Sequence, residues 1–379
     1  MAAAATGAEG GSSKVPSGAG ETCISIPSAG GYDKLLVSQG GEVQCDALLA
    51  PQNHDKQGGV DRSRTVTVQI HAAGVNYADV CIRWGLYASA AEYVGYPITP
   101  GFEFAGTVLS TSHADSPFHP GQRVFGVTLF GAYSTGVRVP EHQLFAMPDG
   151  MTMAQGAAVL ATYFTAYYAF HELARPPPGS SVLIHSAAGG VGSTLARLAH
   201  AAGCRAVGVV GAPNKAAFAA AAGCAAVITK AAAASTVSDS AQAGAAGKAV
   251  AEEGGEGGYR AIFDANGVAT LSGSYSALAP AGRLVVYGFH SMLPRQGGVL
   301  GLGQWLRMAW DYLCTPRFDP LHMVTANKSV MAFNLSFLFN EVALLDTAMD
   351  TFRRLWADGT LAAGLTIAAF PLEDVAAAH

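Results

Sequence analysis

Residues 182–192 read VLIHSAAGGVG, and this stretch decides the fold. Val182, Leu183 and Ile184 form a short apolar run suited to a buried parallel strand. A loop of alanine and glycine follows, and residues 193–202 continue as an alanine-rich helix. Strand, small-residue turn and helix N-terminus together make a pyrophosphate-binding arrangement. The first backbone N–H groups of a helix have no partner within it, and the helix dipole favours an anion beside them. Gly189 and Gly192 take the second and third glycine positions of the dinucleotide fingerprint, with Ala187 in the first. Ala188, Gly189, Gly190, Val191 and Gly192 are therefore the expected cofactor loop. A side chain at Gly190 is expected to crowd the pyrophosphate, and one at Gly192 to push the helix off the strand. A glycine-rich turn alone is weak evidence. Here a second apolar strand, residues 206–211, arrives at the spacing of a β-α-β unit.

The end of that second strand bears on the choice of nicotinamide cofactor. An NAD-preferring fold usually carries Asp or Glu there, bonded to the ribose 2′-hydroxyl. This chain has Gly211-Ala212-Pro213-Asn214-Lys215 instead. Nothing in that run repels a 2′-phosphate, so NADPH is favoured over NADH. Lys215 either pairs with the phosphate as a point charge or is a solvated lysine at a helix start.

The 379 residues suffice for two domains and a large core. Half are hydrophobic and 13% are charged, and the formal net charge is −5, which gives no electrostatic footprint for nucleic acid. Six cysteines are scattered without metal-ligand spacing. They read as free thiols in a reducing compartment, and a cytoplasmic location is expected. Residues 1–23 lack a secretory signal's basic start and apolar core. A disordered tail is expected there, with plastid or mitochondrial import left open. Residues 150–170 are uncharged but contain Gln155, threonines and tyrosines. They read as one buried helix, so no integral membrane span is expected.

Along the chain, residues 32–37 read as a first strand, 40–64 as including a flexible insertion, and 65–70 as another strand. Short strands and glycine-cornered turns continue to about residue 150, the pattern of a compact β-rich domain. Strands at 182–185, 206–210, 225–229, 260–264 and 283–287 then alternate with helices. That alternation implies an α/β fold with a doubly wound parallel sheet. Residues 231–258 are low-complexity alanine and glycine, to which no function is assigned. Residues 305–326 are more aromatic than a surface loop needs. They form either a helical segment near an active-site mouth or a subunit contact.

HAAGVNYADV (71–80), TPGFEFAG (99–106), PGQRV (120–124), TYFTAYYA (162–169), HSAAGGVG (185–192) and GRLVVYG (282–288) occur in this order. Together they resemble the medium-chain dehydrogenase/reductase superfamily, in particular its zinc-free quinone oxidoreductase branch. Within it, GYDKLLV (31–37) and TANKSVMAFNLSFL (325–338) are similar to the vesicle amine transport protein-like members. The resemblance implies a GroES-like β-rich catalytic domain over 24–155, to which 316–379 return. It also implies a Rossmann domain over 156–295 and a linker or helical segment over 296–315. A homodimer is expected. Relatives continue past the PLEDVAAAH end (371–379), so the chain is either a fragment or lacks the family's closing elements.

Zinc-dependent members carry a ligand cysteine and a GHE motif where this chain has Asn76 and Gly101-Phe102-Glu103. No metal site is expected, because Glu103 alone builds no tetrahedral centre. Glu103 instead reads as a buried structural carboxylate paired inside the β-domain. Without a Lewis acid, hydride transfer suits an acceptor that is already electrophilic, such as a quinone or an α,β-unsaturated carbonyl. The resemblance places Asn76 against the nicotinamide ribose or carboxamide. It makes Tyr87 either a proton donor to the developing enolate or an aromatic packed under the cofactor. It also puts Thr165, Asn266, Tyr287 and Gly288 near the cofactor. Lys230 stands where relatives often place an aromatic or a histidine near the adenosine ribose. Cys81 replaces a tyrosine common in quinone reductases and reads as a small buried residue. The alternative function is a non-catalytic NADPH-binding, vesicle-associated or scaffolding protein.

Overall fold

The computed structural model describes residues 2–5, 22–39, 63–229, 253–254, 257–293 and 301–379. Strands β1 (Ala2–Ala5), β2 (Thr22–Ser25), β3 (Leu36–Gln39) and β4 (Thr65–Val75) lead into two short helices, α1 (Tyr77–Arg83) and α2 (Ala88–Tyr93). Four strands follow: β5 (Glu103–Thr111), β6 (Arg123–Val127), β7 (Gly136–Pro140) and β8 (Leu144–Ala146). β4 shows why this half is a sheet. Val66, Val68 and Ile70 are buried while Thr65, Thr67 and Gln69 between them are partly exposed, the two-residue period of a one-sided strand. β4 pairs antiparallel with β1, β5 and β7, and β5 passes the sheet on to β6 and β8.

The connection to the second half departs from the expected single helix over 150–170. α3 (Met153–Ala157) ends, and α4 (Leu160–Tyr167) starts afresh before widening into the π-helical turn Tyr168–Ala174. The break has a physical use: it exposes a new helix N-terminus, whose Ala161 N–H donates to the buried Glu103 carboxylate.

The second half alternates strand and helix: β9 (Ser181–His185), α5 (Gly190–Ala201), β10 (Arg205–Val210), α6 (Ala216–Ala221), β11 (Ala226–Thr229), β12 (Tyr259–Asp264), α7 (Leu271–Ala277), β13 (Leu278–Val286), α8 (Leu302–Leu313), α9 (Pro320–Ala326) and β14 (Ser329–Ala332). All pairings are parallel, in the order β11-β10-β9-β12-β13-β14. The winding direction reverses between β9 and β12, and a doubly wound sheet opens its ligand crevice at the carboxyl ends of such a pair. The chain then returns through α10 (Val342–Ala357) to β15 (Ala368–Pro371), which lies parallel to β1. One apolar cluster joins the halves, running from Phe125 and Phe145 through Tyr163, Phe164 and Phe352 to Ile184 and Phe263.

Several expectations shift. Tyr32–Lys34 is a 3₁₀ turn, and the first strand of that region starts at Leu36. Within the expected disordered tail, Ala2–Ala5 is a strand between β4 and β15; most of the rest of the tail lies outside the described residues, as do nearly all of 40–64 and 231–258. The return to the first half starts after residue 316, because Ser329–Ala332 still extends the parallel sheet. Much of 296–315, expected as a linker or helical segment, is helix α8. No described helix is long and apolar enough to cross a membrane.

Candidate active site

The crevice between β9 and β12 is assembled mostly from backbone. Ser186 leaves β9 with φ 55°, a left-handed turn that swings the chain under α5. Gly189 caps that helix, and its N–H donates to Ser186 O at 2.8 Å. A Cβ on Gly192 would fall 2.3 Å from Ser186 O and 2.8 Å from Ala187 Cα, so only glycine lets α5 sit this close to the strand end. Beside it, a Cβ on Gly208 of β10 would meet Ala187 Cβ at 2.8 Å. Small residues of the loop, of α5 and of β10 thus hold the loop down. β10 ends at Gly211, where a Cβ would find nothing within 4 Å. Lys215, at the end of the following 3₁₀ turn, is exposed and makes no ion pair among the described residues.

Across the crevice, Ser186 Oγ donates to Asn266 Oδ1 at 3.1 Å. Asn266 is fully buried, and its Nδ2 has no hydrogen-bond partner among the described residues. Its place is fixed by Asp264, which accepts from the Asn266 and Gly267 N–H groups and from the Thr270 and Ser274 hydroxyls. Ser274 in turn lies 2.9 Å from His185 Nε2. The Tyr287 hydroxyl, just beyond β13, is also buried without a partner among the described residues. Gly288 approaches the Ala265 backbone; a Cβ there would lie 3.0 Å from Ala265 O. An unpartnered buried donor costs roughly 1–3 kcal/mol. Two such groups at the carboxyl edge of the sheet mark a place where a polar ligand would supply the missing partners.

The first half contributes a cluster of side chains at the start of α1. Asn76 is the helix N-cap; its backbone N–H donates to Asp79 Oδ2 and its side-chain Nδ2 to Glu103 Oε1, both at 2.8 Å. Glu103 Oε2 accepts from Ala161 N–H at 2.9 Å, and Asp79 Oδ1 from Gly101 N–H at 2.9 Å. Both carboxyls are buried, and burial pushes each up to about 7. Cys81 is buried as well, and burial pushes its thiol up to about 12, so it is an inert packing residue.

Tyr87 packs edge-on against Phe102. Its hydroxyl donates to Asn334 Oδ1 at 3.2 Å and lies 2.9 Å from Ser336 Oγ. Burial raises its pKa, so the phenol keeps its proton at neutral pH. The Thr165 hydroxyl donates back to Ala161 O in its own helix, at 2.7 Å. Lys230 lies outside the described residues.

The two sheets fit one known family. Residues 62–149 match the model of the alcohol dehydrogenase GroES-like domain, and 190–306 match that of the zinc-binding dehydrogenase. The chain belongs to the medium-chain dehydrogenase/reductase superfamily. Its GroES-like domain is the β-rich half and its Rossmann domain the doubly wound half. This dehydrogenase/reductase is 29% identical over 356 residues to the synaptic vesicle membrane protein VAT-1 homolog of Rattus norvegicus, covering 93% of this chain and 79% of that one. A quinone oxidoreductase structure from Pseudomonas syringae superposes with a TM-score of 0.70, at 26% identity and with 94% of each chain covered. The quinone oxidoreductase of Escherichia coli, complexed with NADPH, superposes with a TM-score of 0.71 at 24% identity, covering 94% of this chain and 95% of that one.

Among the described residues of this dehydrogenase/reductase, no three His, Cys, Asp or Glu side chains cluster closely enough to hold a metal ion. Sequence reasoning missed Asp79, Ser186, Asn334 and Ser336. The last two lie inside the FNLSFL run, but nothing in that run announces a partner 247 residues away in Tyr87. Asp79 was the legible one, because Asn followed three residues later by Asp is a helix-capping pattern.

Proposed function

We propose that this protein is an NADPH-dependent reductase of quinones or α,β-unsaturated carbonyls that works without zinc. The observation that carries the reading is the crevice between β9 and β12. There a glycine-closed helix N-terminus lies beside the buried Asn266 Nδ2, which has no partner among the described residues, and the neighbouring strand ends at Gly211 without a carboxylate.

These residues fit a dinucleotide phosphate. The N–H groups at the start of α5 suit the pyrophosphate, and Lys215, without an ion pair among the described residues, suits a 2′-phosphate. Asn266 Nδ2 and the Tyr287 hydroxyl suit polar groups of the nicotinamide half. The bound cofactor supplies the hydride. Asn76, Thr165 and Gly288 complete the proposed wall of that site, and Lys230 is proposed to sit near the adenosine ribose. Tyr87 holds a proton for the acceptor's oxygen: the phenol stays neutral, and turning its O–H away from Asn334 aims it at a ligand. Phe102 and Phe130 pack in series behind Tyr87 and keep water from that side.

Two features of the Rossmann half support a homodimer. Leu302, Trp305, Leu306, Trp310 and Leu313 of α8 are exposed, and the outer edge of β14 is unpaired among the described residues. A second copy would cover both. The five described cysteines are free, which supports the cytoplasm.

The test is NADPH titration together with NADPH oxidation against a panel of quinones and enones, before and after chelation. Expected are tight binding, turnover and indifference to chelators. Tight binding with no turnover on any acceptor would replace this reading with a non-catalytic NADPH-binding protein.

A further inference from the structure

Glu103 is a buried carboxylate with no cationic partner among the described residues, and its seat is built at some expense. A Cβ on Gly74 would fall 2.5 Å from Glu103 Oε1 and 2.2 Å from Ala157 O, so this stretch of β4 must carry glycine. The α3–α4 break supplies the Ala161 N–H that meets Oε2. A structural acid in a β-domain needs neither arrangement. What the two arrangements achieve together is to turn Oε1 onto Asn76 Nδ2 at 2.8 Å.

We propose that Glu103 is a positioning residue that sets the polarity of Asn76, forcing this half-exposed amide to show its oxygen, Oδ1, to a donor group on the nicotinamide half of the cofactor. The proposal rests on the NADPH reading above. Above about pH 7, where Glu103 gives up its proton, its carboxylate only accepts hydrogen bonds. Asn76 therefore cannot turn its oxygen toward Glu103 without opposing two acceptors, and Nδ2 is committed inward. Oδ1 faces the Asp79 N–H of the capping box, and its second lone pair is the one with which the amide meets a ligand, whose complement there is a hydroxyl or an amide N–H₂. The titratable groups facing Glu103 are Asp79, whose charge pushes it up, and Tyr133, which bonds Asp79 from the other side.

The charge on Glu103 matters more than its shape. In Glu103→Gln the introduced amide must keep its oxygen on the Ala161 N–H, which leaves its N–H₂ facing Asn76. Asn76 then turns over and shows Nδ2 to the ligand's donor. In Asn76→Asp two carboxylates face each other across the 2.8 Å contact. In the double variant the introduced carboxylate accepts from the introduced amide with one oxygen and shows the other to the ligand. The acceptor is restored with the same total charge as in the wild type.

The experiment is a double-mutant cycle on NADPH affinity at pH 8, where Glu103 is ionised, read by fluorescence titration without any acceptor and accompanied by thermal unfolding of each apo-protein. Each single variant should lose roughly tenfold in affinity, the scale of one reversed hydrogen bond. The double variant should return to within about threefold of the wild type. Additive losses in the double variant, or wild-type affinity in folded Glu103→Gln, overturn the proposal and leave the NADPH reading standing. A wild-type protein that binds no NADPH overturns both. Should Glu103→Gln fail to fold, Asn76→Asp alone decides. Its two facing carboxylates must share a proton, so its affinity deficit has to widen from pH 6 to pH 8, and a flat deficit overturns the proposal.

Discussion

Between residues 185 and 193 the proposed cofactor surface is made of main chain: a left-handed serine, a glycine cap and helix N–H groups, with small side chains pressed close. Around Asn76 it is made of side chains, two buried carboxyls and an amide brought together from α1 and β5. The first kind of site is sensitive to volume and indifferent to pH, because peptide groups do not titrate. The second tolerates small changes of volume at its half-exposed amide but depends on where protons sit. The two parts of the proposed site should therefore fail in different ways.

The largest expected effect is on the main-chain side. Gly192→Val puts a branched side chain where even a Cβ lies 2.3 Å from a carbonyl oxygen. Helix α5 must move off the strand, with a cost of about 3 kcal/mol or more in stability and at least a hundredfold loss of NADPH affinity. Thermal unfolding and calorimetric titration check both. Unchanged binding in this variant would remove the loop from the cofactor site.

The side-chain half should show itself through pH. Asp79 and Glu103 hold their protons up to about 7 in the folded protein, against ordinary values of 3.8 and 4.5. The folded state binds these protons more tightly, so their contribution to stability is greatest below about pH 4. It declines as pH rises toward 7 and is flat above that. Integrated over that window, each carboxyl removes roughly 2–4 kcal/mol. Urea unfolding across pH 4 to 8 should show the decline, and Asp79→Asn should reduce it by about half. A wild-type slope of zero would mean that the N–H groups around the carboxyls fully compensate for their burial.

Tyr87 separates packing from proton supply. Tyr87→Phe keeps the contact with Phe102 and leaves Asn334 its bond from Ser336 N–H. Stability should fall by only about 1 kcal/mol. Enone reduction should drop by roughly ten- to a hundredfold in kcat, and quinone reduction should drop less, since a hydroquinone anion needs less help from an acid. Equal kcat values for both substrates in both proteins would make Tyr87 a packing residue. The smallest effect belongs to Lys215→Ala, which should weaken NADPH about tenfold and leave NADH unchanged. Equal losses for the two cofactors would show that this lysine does not meet the 2′-phosphate.

The same contrast explains what the sequence made legible. The loop at 186–192 is encoded by neighbours, so eleven consecutive letters suffice to read it. The five parallel strands were readable for the same reason, as apolar runs separated by helical ones. The Asn76–Glu103 bond joins residues 27 apart, and the Tyr87–Asn334 bond joins residues 247 apart. No local period reports either one. Glu103 was legible as buried but not as the partner of Asn76. The break between α3 and α4 was hidden because Ala158 and Val159 continue an apolar pattern; a carboxylate from another strand makes the break worthwhile. Ala2–Ala5 shows the same limit, since alanine has little strand preference and those residues are a strand only because β4 and β15 flank them.

That flanking has a consequence for the order in which the molecule can form. All six strands of the parallel sheet lie between Ser181 and Ala332, and their contacts are comparatively local. The other sheet sets Ala2 opposite Ala368, a pairing of very high contact order that exists only after almost the whole chain has left the ribosome. The dinucleotide half can therefore become a ligand-competent unit while the half that carries Asn76 still has an open edge at β1. NADPH captured by that early unit would act as a folding ligand, stabilising the part already formed by mass action while the last strand arrives.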